Sequence, residues 1–115
     1  GDTMYNINLL KNEQVIAVFD DTFIKQGKNQ KLTTIAITNQ RILFLDYFNE
    51  TSIEETLRIA KGIDYLRQKE VYYKVELKDI TEVLEDDYYY IKLKDNTIIE
   101  FDEEELYNLI KEVIK

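Results

Sequence analysis

The chain is 115 residues long, enough for one domain with its own hydrophobic core. It contains no histidine, cysteine or proline, which excludes a Ser-His or Cys-His nucleophile pair, a disulfide framework and a zinc site of the usual ligands. The net charge of −8 is concentrated in residues 79–115, where twelve acidic residues face four lysines, and this argues against nucleic-acid binding.

Three strands are predicted in the first half of the chain. Apolar and β-branched residues favour strands over 15–25, 31–38 and 41–48. Residues 26–29, Gln-Gly-Lys-Asn, form a turn signal between the first two strands. The next two are joined by Asn39 and Gln40, and an asparagine tolerates positive φ in such a hairpin. We therefore expect an antiparallel meander.

The hydrophobic period changes after position 50 from that of a strand to that of a helix. Ser52 and Glu55 fit a capping box, in which each side chain accepts from a free backbone N–H at the start of a helix. The pattern predicts a helix over 53–68, with Gly62 as a point where it could break. We expect residues 50–69 to form a helical insertion between the third and fourth strands.

Strands resume after this insertion, and a helix closes the chain. Alternating apolar and polar residues favour four more strands, over 70–77, 80–85, 88–94 and 97–101. The closing helix is predicted over 102–115, where apolar residues recur in one amphipathic stripe. Its start fits a second capping box, formed by Asp102 and Glu105.

Positive charge is clustered only at the first hairpin, where Lys25, Lys28 and Lys31 lie on either side of the turn. Three lysines at a hairpin tip could hold a phosphate or an anionic lipid headgroup. The alternative interpretation is that they keep an exposed loop soluble.

Nine tyrosines are present, and several lie next to one another on predicted strands. Neighbouring strand residues point to opposite faces, so some of these rings must be exposed. Tyr72, Tyr88 and Tyr90 are candidate residues of a protein interface, with cross-strand packing as the alternative.

The adjacent carboxylates do not have the spacing of a glycosidase or of a calcium-binding loop. They occur at Asp20 and Asp21, at Asp86 and Asp87, and in the run 102–105, which is already explained as a helix start. We expect no catalytic residue, no metal site and no cofactor.

Residues 38–44, Thr-Asn-Gln-Arg-Ile-Leu-Phe, resemble the T-N-x-R-hydrophobic signature of small bacterial pleckstrin-homology-like (PH-like) domains, which are similar to GRAM domains. Segments 10–15, 77–83 and 94–97 resemble further segments of that family in the expected order. The resemblance implies a mainly β (α+β) fold: a seven-stranded antiparallel barrel or sandwich, capped by a C-terminal amphipathic helix. It covers nearly the whole chain from about Leu9, as a single domain over 1–115.

The function implied by these observations is that of a non-catalytic interaction or scaffolding domain that binds protein partners or assembles with itself. The alternative is a membrane or anionic-ligand adaptor that uses the basic hairpin. Phosphoinositide-binding PH domains carry a K-x-R-like element there, whereas Lys25, Lys28 and Lys31 match it only in location. The first residues do not resemble a signal peptide, so we expect a cytoplasmic protein.

Overall fold

The computed structural model describes residues 5–47, 51–62 and 68–115. These residues form eight strands and two α-helices. In chain order the elements are β1 (Tyr5–Asn6), β2 (Val15–Gln26), β3 (Asn29–Thr38), β4 (Arg41–Asp46), α1 (Ser52–Ala60), β5 (Lys69–Glu76), β6 (Ile80–Glu85), β7 (Tyr89–Leu93), β8 (Ile98–Phe101) and α2 (Glu104–Val113).

The strands form one sheet in the order β1-β5-β4-β3-β2-β8-β7-β6, with only the β1–β5 pair parallel. Strand β2 pairs with β3 along its length but with β8 only over its last three residues, so it belongs to both halves of the sheet. The main core contains Phe44 of the first half and Ile91 and Phe101 of the second. Leu106 and Ile110 of α2 complete it, because the helix places its apolar stripe against the sheet.

The seven predicted strands are confirmed, each within two residues of its observed bounds. Position 48, the last of the third predicted strand, lies outside the described residues. The two-residue strand β1 is an addition that the seven-strand expectation did not contain.

Strand β1 is held by both backbone pairing and side chains. Tyr5 lies opposite Lys69 in the parallel ladder with β5. The Tyr5 hydroxyl donates to Asp20 Oδ2 at 2.8 Å, and Lys69 Nζ lies 3.4 Å from Oδ1 of the same carboxylate. Ile7 packs on a small second cluster containing the buried Leu43. The segment therefore covers apolar side chains on the outer side of the first half of the sheet.

The start of α1 differs from the prediction by one residue. Thr51 caps the helix: its hydroxyl accepts from Glu54 N–H, and the Glu54 carboxylate accepts from Thr51 N–H. The sequence Thr-Ser-Ile-Glu-Glu contains two overlapping capping boxes, and the structure uses the first instead of Ser52 with Glu55. The helix ends before Gly62, which has φ of +65°. Residues 63–67 of the predicted helix lie outside the described residues.

The predicted capping box of α2 is also wrong. Glu103 is the N-cap residue, and its carboxylate accepts from Glu105 N–H at 3.4 Å. Asp102 instead accepts from the backbone N–H of Phe23 at 3.1 Å. The Asp102 carboxylate, which the sequence spacing predicted as a helix cap, therefore binds the backbone of β2 instead.

The hairpin between β3 and β4 is confirmed, but Asn39 does not have positive φ. The Thr38 hydroxyl accepts from the backbone N–H of Gln40 and of Arg41, and this turn needs no left-handed residue. In the turn between β7 and β8, Asn96 does have positive φ, at 70°. Among the described residues, no helix is long and apolar enough to cross a membrane.

Candidate functional site

A buried ion pair explains the Thr-Asn-x-Arg motif. Arg41 donates from Nε to Glu13 Oε2 at 2.8 Å and from one terminal nitrogen to Oε1 at 2.7 Å. Both residues are less than a tenth exposed. The same terminal nitrogen also donates to the carbonyl of Asn8, so three of the five N–H donors of the guanidinium are bound within the fold. Arg41 therefore fastens the segment before β2 to the sheet.

The other members of the motif bind the same segment. Asn39 Oδ1 accepts from Gln14 N–H, and its amide group donates to the carbonyl of Asn12. Gln40 donates to the carbonyl of Lys11 at 2.9 Å. The part of the chain that most resembles a family signature therefore has a structural role.

The pair also has a strong electrostatic signature. The hydrogen bond from Arg41 lowers the pKa of Glu13 to about 2, with further lowering by Leu10 N–H and the Thr38 hydroxyl, against a smaller rise from desolvation. Reciprocally, the hydrogen bond to Glu13 raises the pKa of Arg41. Both side chains are charged at neutral pH and pair with each other, so removal of either one would leave a buried charge without its counter-ion.

The structure does not bring the three predicted lysines together. Lys25 lies opposite Glu100 in the β2–β8 ladder. Lys28 is exposed beside Gly27 in the turn. Lys31 pairs with Asp46 at 2.8 Å, and this hydrogen bond raises the pKa of Lys31. Two of the three positive charges therefore have acidic neighbours.

A cleft of about 540 Å³ lies at this hairpin. Lys28 and Lys31 line it, but Lys25 does not. Tyr72 also lines this lysine cleft. The centroid of its ring lies 4.2 Å from Lys31 Nζ, and its hydroxyl is 2.9 Å from Thr33 Oγ1. Tyr72 is thus part of the lysine cleft and is not placed with Tyr88 and Tyr90.

The other two predicted tyrosines lie on the outward face of the second half of the sheet. In the ladder, Leu84 is opposite Tyr90, and Tyr90 is opposite Glu100. Their strand neighbours Ile91 and Ile99 are buried, so this row points away from the core. We call the outward apolar side chains of this region the tyrosine face; they are Phe23, Leu84, Tyr88, Tyr90 and Ile98.

Three members of the tyrosine face are about half exposed: Leu84 by 51%, Tyr88 by 46% and Ile98 by 49%. The centroid of the Tyr88 ring lies 6.3 Å from that of Phe23, so these two rings are neighbours within the face. Exposed apolar side chains that share one face are typical of an interaction surface, whereas scattered ones need no explanation.

Negative charge borders this face. Partial desolvation raises the pKa of Tyr90, and the charges of Glu100, Asp86 and Asp87 raise it further. Glu82 lies opposite Lys92, one pair of residues farther along the sheet. The tyrosine face is thus an apolar surface at which negative charges outnumber positive ones, with Lys25 opposite Glu100 and Lys92 opposite Glu82 on the same side of the sheet.

Comparison with known proteins gives a fold but no close relative. No known family profile and no curated protein matches the sequence. Among solved structures, the chain is similar to the Vps36 N-terminal PH domain, with a TM-score of 0.60 and 13% identity, covering 93% of this chain and 83% of that one. The fold is PH-like. At this identity the likeness concerns the fold alone; the bacterial branch and the GRAM likeness stay predictions.

In the described part of this PH-like domain, no group of three or more acidic side chains is arranged to hold a metal ion. Two surfaces stand out by their side chains: the apolar tyrosine face, and the lysine cleft lined by Lys28, Lys31 and Tyr72.

Leu84 and Ile98 are members of the tyrosine face that the sequence reasoning missed. The signal was available, because each belongs to a pair of adjacent apolar residues in a strand: Val83 with Leu84, and Ile98 with Ile99. Adjacent strand residues point to opposite faces, so one member of each pair had to be outward.

Proposed function

We propose that this PH-like domain is a non-catalytic protein-interaction module that binds another protein through the tyrosine face. The observation that carries the proposal is the exposure of Leu84, Tyr88 and Ile98 on one face of the sheet. Aromatic residues are the usual anchors of protein interfaces, since they bury a large area with few rotatable bonds.

The charge around this face favours a partner whose apolar contact surface is bordered by lysine or arginine. Asp86, Asp87 and Glu100 supply the complementary negative border. A second copy is disfavoured as the occupant of this same face, because its acidic border would meet an identical one.

A photocrosslinking residue at position 88 or 90 of the full chain tests this contact in the cells that express it. We expect adducts with one partner protein from both positions and not from Tyr47, an exposed tyrosine outside the face. With that partner purified, Leu84→Glu and Tyr90→Ala should each weaken binding roughly tenfold or more, and added salt should weaken it further. Equal adducts from position 47, no adduct from 88 and 90, or unchanged binding by both variants would overturn the proposal.

The lysine cleft supports a second candidate function, the binding of an anionic headgroup. Lys28 and Lys31 line the cleft together with the amides of Asn29 and Gln30. It is the weaker candidate because Asp46 already pairs with Lys31.

Co-sedimentation with vesicles of anionic or of neutral lipid tests this second function. Binding to anionic vesicles alone, lost in Lys28→Ala with Lys31→Ala but retained in Lys25→Ala, would support it. The absence of binding at low salt, or equal loss in the double variant and in Lys25→Ala, would contradict it.

A further inference from the structure

Helix α1 exposes apolar side chains that nothing in the described part of the chain covers. Ile53 is 73% exposed and Leu57 51%, and no residue of the helix is buried. Ile59 is also exposed, but at about 100° per residue it lies roughly 120° around the helix from Ile53, on another side. The capping box at Thr51 and the end at Gly62 define the helix locally. A well-capped helix with an uncovered apolar face is built to pack against another surface.

The positions of these side chains around the helix form a narrow stripe with one charged flank. At about 100° per residue, Ile53, Leu57 and Ala60 fall within roughly 60° of one another. Glu54 and Lys61 are seven residues apart and therefore lie within about 20° of each other, beside the stripe. Lys61 has helical φ and ψ, so it continues this geometry.

We propose that α1 is a self-association element that packs antiparallel against α1 of a second copy of this chain. In an antiparallel pair, the same flank of the two helices meets along the contact. Glu54 near the start of one helix then lies beside the second copy's Lys61 near the end of the other. Two-fold symmetry repeats this ion pair on the opposite side of Leu57.

The charge pattern is what identifies the occupant as a second copy. In a parallel pair the opposite flanks of the two helices meet, so neither Glu54 nor Lys61 would face the charge that complements it, and only the antiparallel arrangement pairs them. Residues 50–78 contain six acidic and six basic residues, so this part of the chain lacks the excess negative charge of residues 79–115. The net charge of −8 therefore does not oppose contact through α1 directly.

The association is expected to be weak. A nine-residue helix is about 13 Å long, and one such pair buries less than the roughly 1,200 Å² of a small stable interface. We expect a dissociation constant on the order of 100 µM, tight enough to matter at high local concentration.

Analytical ultracentrifugation of the full chain at increasing concentration measures this equilibrium. Leu57→Glu should abolish the dimer, while Leu84→Glu, with the same 51% exposure but on the tyrosine face, should leave it intact. Binding of the partner protein at the tyrosine face should instead be weakened by Leu84→Glu and left intact by Leu57→Glu. Each proposal can therefore be contradicted without affecting the other. A chain that stays monomeric up to about 1 mM, tenfold above the expected constant, overturns the inference.

Charge exchange tests the geometry of the pair. Lys61→Glu alone and Glu54→Lys alone should each weaken self-association roughly tenfold, because both contacts become repulsive. Mixing these two variants should restore dimers, since each copy then offers the charges that the other lacks. Helical circular dichroism shows whether Glu54→Lys, which alters the capping box, still forms α1. If it does, monomeric behaviour of the mixture overturns the antiparallel pairing. If it does not, two substitutions at position 61, which leave the capping box intact, decide the matter: Lys61→Arg should keep the dimer and Lys61→Glu should weaken it, and equal self-association of the two variants overturns the pairing.

Discussion

Glu13 and Arg41 form a two-point ion pair across 28 residues of sequence, with N–O distances of 2.8 and 2.7 Å. The pair is buried between the segment that precedes β2 and the turn that begins β4. Arg41 is buried and donates to Glu13 and to the carbonyl of Asn8, so it joins two parts of the fold that are far apart in sequence.

We expect Glu13→Gln to lower the free energy of unfolding by about 3 kcal/mol, because it leaves the buried Arg41 charge without its counter-ion. Urea unfolding followed by circular dichroism measures the change. The matched control is Glu82→Gln on the exposed side of β6, which should alter stability by less than about 0.5 kcal/mol. Equal effects of the two variants would show that the buried pair is not stabilising.

The stability of the protein should fall with decreasing pH between about 4.5 and about 2. The pKa of Glu13 is about 2 in the folded chain against 4.5 for the same group when it is exposed to solvent, as in the unfolded chain, so folding is favoured by its ionised form. This contribution is fully present above the unfolded pKa and is lost as the pH falls through the folded one; a shift of this size corresponds to roughly 3 kcal/mol. Asp20 and Asp46, whose pKa values are also lowered, act in the same direction.

Unfolding midpoints in urea measured across this pH range test the linkage. The difference between the native chain and Glu13→Gln should shrink as the pH falls towards 2. A difference that is independent of pH would contradict the assignment of the effect to this carboxylate.

Thr38→Val should destabilise the fold by about 1–3 kcal/mol although it preserves the shape of the side chain. The Thr38 hydroxyl donates to Glu13 at 2.7 Å and accepts from Arg41 N–H at 2.8 Å, and both groups are buried. Thermal or urea unfolding gives the magnitude. Thr38→Ser keeps the hydroxyl and should retain most of the stability; a larger loss in Thr38→Ser than in Thr38→Val would argue for methyl packing instead.

Asp102→Ala should lower the free energy of unfolding by about 1 kcal/mol, because the backbone N–H of Phe23 loses the carboxylate that accepts from it. The exposed Asp87 provides a control of equal charge, and Asp87→Ala is expected to change stability little. Hydrogen exchange at the Phe23 amide locates the effect: it should accelerate in Asp102→Ala and not in Asp87→Ala.

The hydrophobic periodicity of the sequence was sufficient to predict most of the strands and the closing helix. Alternation in 70–77 and the amphipathic stripe of α2 depend on which residues are apolar, and burial follows from that pattern alone. The same alternation made the outward direction of Tyr88 and Tyr90 predictable, since neighbouring strand residues cannot all face the core, although Tyr90 is only half exposed.

The capping residues were the least predictable part of the fold. Asp102 had the right spacing for a helix cap, but the β2 backbone brought the Phe23 N–H within reach of it. At α1, two overlapping capping boxes fit the sequence equally well, Thr51 with Glu54 and Ser52 with Glu55, and the structure uses the first.

The amino-acid sequence by itself determined a β-rich chain closed by an amphipathic helix, because strand and helix periods are properties of neighbours along the chain. Which charges meet was decided only by tertiary structure. Lys25, Lys28 and Lys31 form one cluster in sequence, yet the register of β2 sets Lys25 against Glu100, while Lys31 meets Asp46 and Tyr72. Such pairings join residues that are far apart in sequence, and strand register alone fixes them.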